Sequence, residues 1–383
     1  MAEKNVDALS AYIRWRGDLS FEIDPFNEVD NAVLSELAYL DFAKVIRPRM
    51  RTVPTVRQVY QMMQIKNCYR LLTTAGGQED FVAAAAESRR FGSIGVSDYQ
   101  ESFEKDRVQF AAVCFRLDKD TSYIAFRGTD NSIIGWREDF MTSFMKIPGQ
   151  ELAVDYLNST MKEDHRYYIG GHSKGGNLAV YSASMLEPDR QGQILKIFDN
   201  DGPGFSPDVY DLSRIKSISG LITKIIPEYD VIGQLFRRAI PDIRIIRSSV
   251  SGILQHDLIT WRPEGNHFLK APRLDPSVKV LNDTFDEWIR TTPPQSRAAF
   301  VKDVFDSMEV KGAVMLDDLK LTTVPDILKS MLASSDKTKE ALKNLEKVYV
   351  EKMKKQAGLA LGTFAEEQIV NRVIPKEKSK KKK

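Results

Sequence analysis

The stretch Gly171 to Asn177, reading GHSKGGN, restricts the possible folds more than any other part of the chain. It joins a G-x-S-x-G pattern to the context that pattern needs. A short β-prone run, Tyr167-Tyr168-Ile169, precedes it, and a helix-compatible run, Leu178 to Leu186, follows, with Pro188 just beyond. The order is therefore strand, sharp turn, helix. In such an elbow the serine is lifted above the sheet on a strained turn, and the glycines on either side leave room for the backbone to fold back. Gly171 and Gly175 hold those places, and Gly176 with Ala179 would let the helix lie close on the sheet. Ser173 is thus a candidate nucleophile. The plainer alternative is a glycine-rich turn whose serine caps the next helix.

An elbow serine needs a histidine to take its proton, and the histidine needs a carboxylate to hold its tautomer. The expected chain order is Ser, then Asp or Glu, then His, each partner at the carboxyl end of a later strand. Runs rich in Ile at Ile194 to Phe198, Leu221 to Ile226 and Ile243 to Arg247 predict those strands. Four histidines occur, and His165 and His172 precede the serine, which leaves His256 and His267. His256, in QHDLITW, follows the last strand after the loop Ser248 to Gln255 and is preferred; His267, in GNHF, stays open. For the carboxylate, Asp230 in IIPEYDVIG is preferred because it follows the strand before the histidine strand. Asp199 and Asp201, in FDNDGPGF, are rivals one strand earlier, in a setting that also suits an ordinary tight turn. Glu228 is a further candidate, and Asp257 reads as a solvated loop residue.

Acyl transfer also needs donors aimed at the developing oxyanion. One is the backbone N–H of the residue after the nucleophile, here Lys174. The second is expected from Thr129, at the end of the strand-like run SYIAFRGTD, through its amide and hydroxyl. A simple strand-ending turn is the other reading of Arg127-Gly128-Thr129.

The motif AFRGT, Trp136 with Asp139 in GWREDF, the GHSKGG elbow and the ordered Asp and His together resemble the class 3 lipases, an α/β-hydrolase family. GHSKGGNLAVY with DNDGPGF, PEYDVIG and HDLITW resembles more closely the bacterial Mbeg1-like group, over about Phe21 to Trp288. The resemblance implies Ser173 as nucleophile, Asp230 as acid, His256 as base and Thr129 as oxyanion residue. Lys174 departs from it, standing where the lipases carry an apolar residue, and the short span from Thr129 to Ser173 argues against a long lid there. The implied fold is α/β: an α/β-hydrolase fold with a mostly parallel central sheet and an appended C-terminal helical region.

Composition fits such a chain. With 383 residues, 42% of them hydrophobic, it can bury a large core. Two cysteines, Cys68 and Cys114, are too few for a disulfide framework, and Cys114 in FAAVCF reads as a small buried thiol. The N-terminus lacks an apolar signal region, and no run nears the about 18 apolar residues of a membrane span. The expected location is cytoplasmic, with peripheral contact at the inner membrane face as an extension of that reading. No internal repeat, metal-ligand spacing or phosphate-cradling glycine loop occurs, so no cofactor or metal is expected.

Helical patterning at Glu28 to Phe42, with Asp24-Pro25 as its start, and at Gln78 to Phe91 predicts helices flanking the sheet. After Pro293-Pro294 the texture changes to helical stretches near Ser296 to Met308, Pro325 to Leu332 and Asp336 to Met353. The division expected is a catalytic domain over 1–293, a helical cover, interface or lid over 294–374, and a disordered lysine-rich tail over 375–383. The tail holds six lysines and one glutamate, so without it the formal charge of +2 becomes −3. A solvated end is the plain reading, and attraction to anionic phospholipid the sharper one. No folded basic patch supports nucleic-acid binding. The chain is read as a serine hydrolase cleaving carboxylic esters through an acyl-enzyme, lipase- or esterase-like, with a small-molecule or lipid ester as substrate. A thioesterase or peptidase using the same groups, and a catalytically idle lipid- or protein-binding relative, are the alternatives.

Overall fold

The computed structural model describes residues 7–47, 50, 52–68, 79–104, 108–129, 141–142, 145–207, 209–230, 232–233, 240–310 and 335–373. Before the sheet come α1 (Ala8–Arg16), α2 (Glu28–Leu37), α3 (Val56–Ile65) and α4 (Glu79–Glu87), followed by one further helical turn at Arg89–Gly92. The sheet follows, as β1 (Gly95–Glu104), β2 (Val108–Arg116), β3 (Thr121–Phe126), β4 (Arg166–His172), β5 (Ile194–Asn200), β6 (Ile222–Pro227) and β7 (Ile243–Ile246). Between these strands lie α5 (Pro148–Thr160), α6 (Lys174–Met185) and α7 (Leu212–Ser217). A small hairpin, β8 (Pro263–Glu264) and β9 (His267–Phe268), precedes α8 (Pro276–Thr291), α9 (Pro294–Val310) and α10 (Asp336–Val373).

The seven strands lie side by side in chain order, antiparallel from β1 to β3 and parallel from β3 to β7. Strand crossovers are right-handed, and here each one steps in the same direction, so their helices fall on one face. That face is a single core in which Ile124, Phe126, Ile169 and Ile197 of the sheet meet Tyr156 of α5, Leu178 of α6 and Ile215 of α7. The other face must be covered from elsewhere, and the N-terminal helices do it. Val33, Val59 and Phe81 pack there on Tyr123, Ala125 and Phe198, the alternate residues of the same strands.

Every residue of α2 is buried, so its polar groups need partners inside the protein. Its start is Asn27 rather than Asp24-Pro25, because Asn27 and Asp30 form a reciprocal capping box. Asn31 exchanges side-chain hydrogen bonds with Asn200 at the end of β5, at 2.8 and 3.1 Å. Asp30 takes two hydrogen bonds from the fully buried Arg90, at 2.5 and 2.7 Å, and one from the Tyr12 hydroxyl at 3.0 Å. The same guanidinium donates to the backbone carbonyl of Asp24 at 2.9 Å. One ion pair thus binds α1, α2 and the turn after α4.

Helices α8, α9 and α10 share their own core around Trp288, Ile289, Phe300, Val301 and Ala341, and the Trp288 indole N–H donates to the Ala341 carbonyl at 2.8 Å. This cluster runs across the Pro293-Pro294 break. Asn282 of α8 donates to the backbone carbonyl of Asp230 at 2.8 Å, which ties these helices to the strand-end loops. The whole is the α/β-hydrolase arrangement, with a mostly parallel sheet and helices appended at the C-terminal side. Among the described residues no helix is long and apolar enough to cross a membrane. The helix expected at Pro325 to Leu332, the Trp136 and Asp139 pair and the lysine tail lie outside the described residues.

Removing one partner of a buried, multiply bonded ion pair leaves an uncompensated charge and costs about 3–5 kcal/mol. Arg90→Ala should lower the urea unfolding free energy by that order, while Lys279→Ala, at an exposed pair with Asp283, should leave it nearly unchanged.

Candidate active site

The elbow forms where the sequence predicts it. Ser173 stands between β4 and α6 with φ 56° and ψ −127°, a backbone conformation that costs a non-glycine residue about 1–3 kcal/mol and is retained where function requires it. The glycines make the turn sterically feasible: a Cβ on Gly175 would lie 2.1 Å from the Phe126 carbonyl oxygen, and one on Gly171 would lie 2.4 Å from the same atom. Ser173 is only 3% exposed.

His256, at the end of a short 3-10 turn after β7, reaches back so that its Nε2 lies 3.0 Å from Ser173 Oγ. Its Nδ1 lies 2.7 Å from Asp201 Oδ2. A carboxylate only accepts, so Nδ1 carries the proton and Nε2 presents its lone pair to the serine hydroxyl. The structure therefore corrects the expectation for the carboxylate: Asp201, and not Asp230, contacts the histidine. The reason lies in strand register. His172 of β4 and Asn200 of β5 are paired neighbours, so the residues just beyond them, Ser173 and Asp201, leave adjacent strand ends side by side. Asp201 shares the left-handed φ of 56° with Ser173. Asp230 sits three residues past the end of β6, behind Asp201, with its Oδ1 accepting the Gly233 N–H at 2.7 Å.

The other candidates have separate tasks. Asp199 is bound by the buried Lys224 ammonium at 2.6 Å and accepts the Gly202 N–H at 2.8 Å. Glu228 faces Arg247 at 3.5 Å, and Asp257 accepts the Ile259 N–H at the start of the next turn. His267 is exposed in the β8–β9 hairpin beside Glu264, away from the serine. His165 meets the Ser122 hydroxyl at 2.9 Å.

Lys174 begins α6, at the positive end of the helix dipole. Its side chain is fully buried and its ammonium donates to the Gln109 carbonyl at 2.7 Å, so the departure from the lipase pattern serves packing against β2. Thr129 follows β3 and is half-buried. Gly128 beside it lies against the elbow, since a Cβ there would sit 2.4 Å from the His172 carbonyl oxygen.

Sequence reasoning missed one residue near the site, His172. Its Nε2 lies 2.7 Å from the backbone carbonyl of His256 and its Nδ1 3.0 Å from the Tyr39 hydroxyl. The carbonyl only accepts, so His172 donates from Nε2 and accepts the tyrosine O–H at Nδ1, the tautomer opposite to that of His256. Gln255 and Trp261 steady the same loop: Gln255 Oε1 accepts the Tyr229 N–H at 3.0 Å, and the Trp261 indole donates to the Gln255 carbonyl at 2.9 Å. The place of His172 one residue before the serine was the available signal. Its ring partners are distant in sequence.

Burial, and secondarily the neighbouring His256, hold His172 well below the ordinary value of 6.5. The unfolded chain takes up a proton near that pH which the folded protein refuses, so this contribution to stability is complete above pH 6.5 and is lost as the pH falls toward the folded value. Denaturant unfolding on both sides of that pH should show the loss, and His172→Gln should make it smaller. An unchanged pH dependence in the variant would contradict a neutral buried imidazole.

Among known proteins, a crystal structure of M37 lipase is similar to 55% of this chain and to 70% of its own, with 17% identity and a TM-score of 0.34. No curated protein matches the chain. The family model described as Mbeg1-like matches residues 85–306, which is more than half of the chain and spans the whole sheet from β1 to β7 together with Ser173, Asp201 and His256, and the protein is therefore a member of the Mbeg1-like family.

Proposed function

We propose that the protein is a serine hydrolase that cleaves carboxylic esters through an acyl-enzyme, with Ser173 as nucleophile, His256 as general base and acid, and Asp201 as the carboxylate that orients it. The observation that carries this reading is the unbroken relay from Ser173 Oγ to His256 Nε2, 3.0 Å, and from His256 Nδ1 to Asp201, 2.7 Å. It lies at the carboxyl ends of parallel strands, where sites in open α/β sheets form.

Ser173 Oγ attacks the ester carbonyl carbon while its proton passes to His256 Nε2. Asp201 stabilises the imidazolium that results. The oxyanion would be met by the Lys174 amide at the head of α6 and by Thr129 after β3. Collapse of the tetrahedral intermediate breaks the bond to the alcohol, which leaves with the proton from His256. A water molecule then gives its proton to the same nitrogen and attacks the acyl-enzyme, releasing the acid and restoring the serine. The likeness of AFRGT and GHSKGG to the class 3 lipase motifs supports an ester over a thioester or peptide. The buried, backbone-bonded Lys174 ammonium leaves the residue after the serine without a charge to offer the substrate.

A fluorophosphonate probe should label the native protein once, at Ser173, and Ser173→Ala should remove both labelling and hydrolysis of short p-nitrophenyl esters. Well-folded protein that resists the probe would favour a binding protein. His256→Ala and Asp201→Asn should each reduce kcat strongly, Asp201→Asn by about 10⁴ through the wrong tautomer, whereas His267→Ala should have little effect. The kcat/KM profile should fall on the acid side as His256 Nε2 takes up a proton. Turnover that survives Asp201→Asn would refute this assignment of the carboxylate.

A further inference from the structure

We propose that Asp230 is the protonated half of a carboxyl pair and donates a hydrogen bond from Oδ2 to Asp201, so that it acts on His256 as a positioning residue through Asp201. This inference rests on the hydrolytic reading of the site. Asp201 and Asp230 are each 1% exposed, and Asp201 Oδ1 and Asp230 Oδ2 meet no N–H or O–H donor among the described residues. Both oxygens are turned to one spot. A Cβ on Gly233 would lie 2.5 Å from Asp201 Oδ1 and 3.0 Å from Asp230 Oδ2, and the two side chains are within hydrogen-bonding reach of each other. The remaining acceptors are already assigned, Asp201 Oδ2 to His256 and Asp230 Oδ1 to the Gly233 amide.

Two anionic carboxylates cannot face each other at this approach away from water, because each would raise the other's cost of ionisation on top of its own desolvation. One proton between them removes both penalties and supplies the missing donor. Burial first, and then the charge of Asp201, push Asp230 well above the usual carboxylate range. Burial also raises Asp201, to about 6, against the hydrogen bond from Asp230 and the nearby Lys224 ammonium. Lys224 on β6 and Asp199 on β5 face the pair and are bound to each other at 2.6 Å. With Asp230 neutral, this buried group of three carboxyls and one ammonium carries a single net negative charge. Formation of the His256 imidazolium cancels it.

The signs of the pH effects separate the possibilities. A neutral Asp230 can be replaced by Asn, whose amide also donates, with no change in charge. The acid limb of kcat/KM should then stay in place in Asp230→Asn. In Asp230→Leu, Asp201 loses its donor, becomes more basic and holds the imidazolium more firmly, so the limb should move to higher pH. The loss of a charge-assisted hydrogen bond should lower kcat/KM in Asp230→Leu by about tenfold to a hundredfold, and Asp230→Asn should recover most of that loss. If Asp230 were ionised, Asp230→Asn would remove a negative charge near His256 and move the limb to lower pH, which would overturn the proposal. So would a loss in Asp230→Asn equal to that of Asp201→Asn. A readout that needs no turnover is the infrared C=O stretch of a protonated carboxylic acid at neutral pH in the Ser173→Ala protein. A band lost on adding Asp230→Asn supports the pair even if the protein hydrolyses nothing. No such lost band refutes it even if the protein is an active esterase.

Discussion

The in-register pairing of β4 and β5 at His172 and Asn200 is the constraint on which the site depends. Two parallel strands that end at the same level deliver their next residues to the same place. Both of those residues, Ser173 and Asp201, take left-handed backbone turns that aim their side chains above the sheet. The pairing is itself held from below: Asn200 donates to the Gly171 carbonyl and exchanges bonds with Asn31 of α2. The N-terminal helices that cover an otherwise bare sheet face thus also fix the level of the two strand ends.

The histidine is brought to this platform by a loop, and a loop alone would position it poorly. Three separate contacts hold it. His172 grips the His256 carbonyl, Trp261 binds the Gln255 carbonyl, and Gln255 in turn receives the Tyr229 amide. The two adjacent histidines are locked in opposite tautomers by what each must bind, one by a carbonyl and a phenol, the other by a carboxylate and a serine. The appended helices reach the same region through Asn282 and the Asp230 carbonyl. Their packing around Trp288 therefore adds support to the loops at the strand ends.

Much of this is legible in the order of the amino acids alone. The elbow and the strands β3 to β7 follow from local patterns: glycines where a Cβ would collide with backbone, and short apolar runs between breakers. Chain order prefers His256 as the base but leaves His267 open. Asp230 is where that reasoning fails. Chain order restricts the acid to a place after the serine and before the histidine, and both Asp201 and Asp230 satisfy it. The DNDGPGF turn reads as ordinary because Gly202 and the left-handed Asp201 are also what a plain tight turn contains.

The sequence by itself determined the class of fold and the elbow that presents Ser173, because each depends on residues adjacent in the chain: the elbow on Gly171 to Gly176 and the strands on short apolar runs. Only the tertiary structure decided which aspartate meets His256, why Lys174 is buried and what His172 does. Those outcomes depend on lateral strand register and on contacts between residues far apart in the chain, such as Tyr39 with His172, 133 positions apart, and Asn31 with Asn200, 169 positions apart. A one-dimensional pattern carries no measure of such distances, whereas close packing in the folded core permits only one of them.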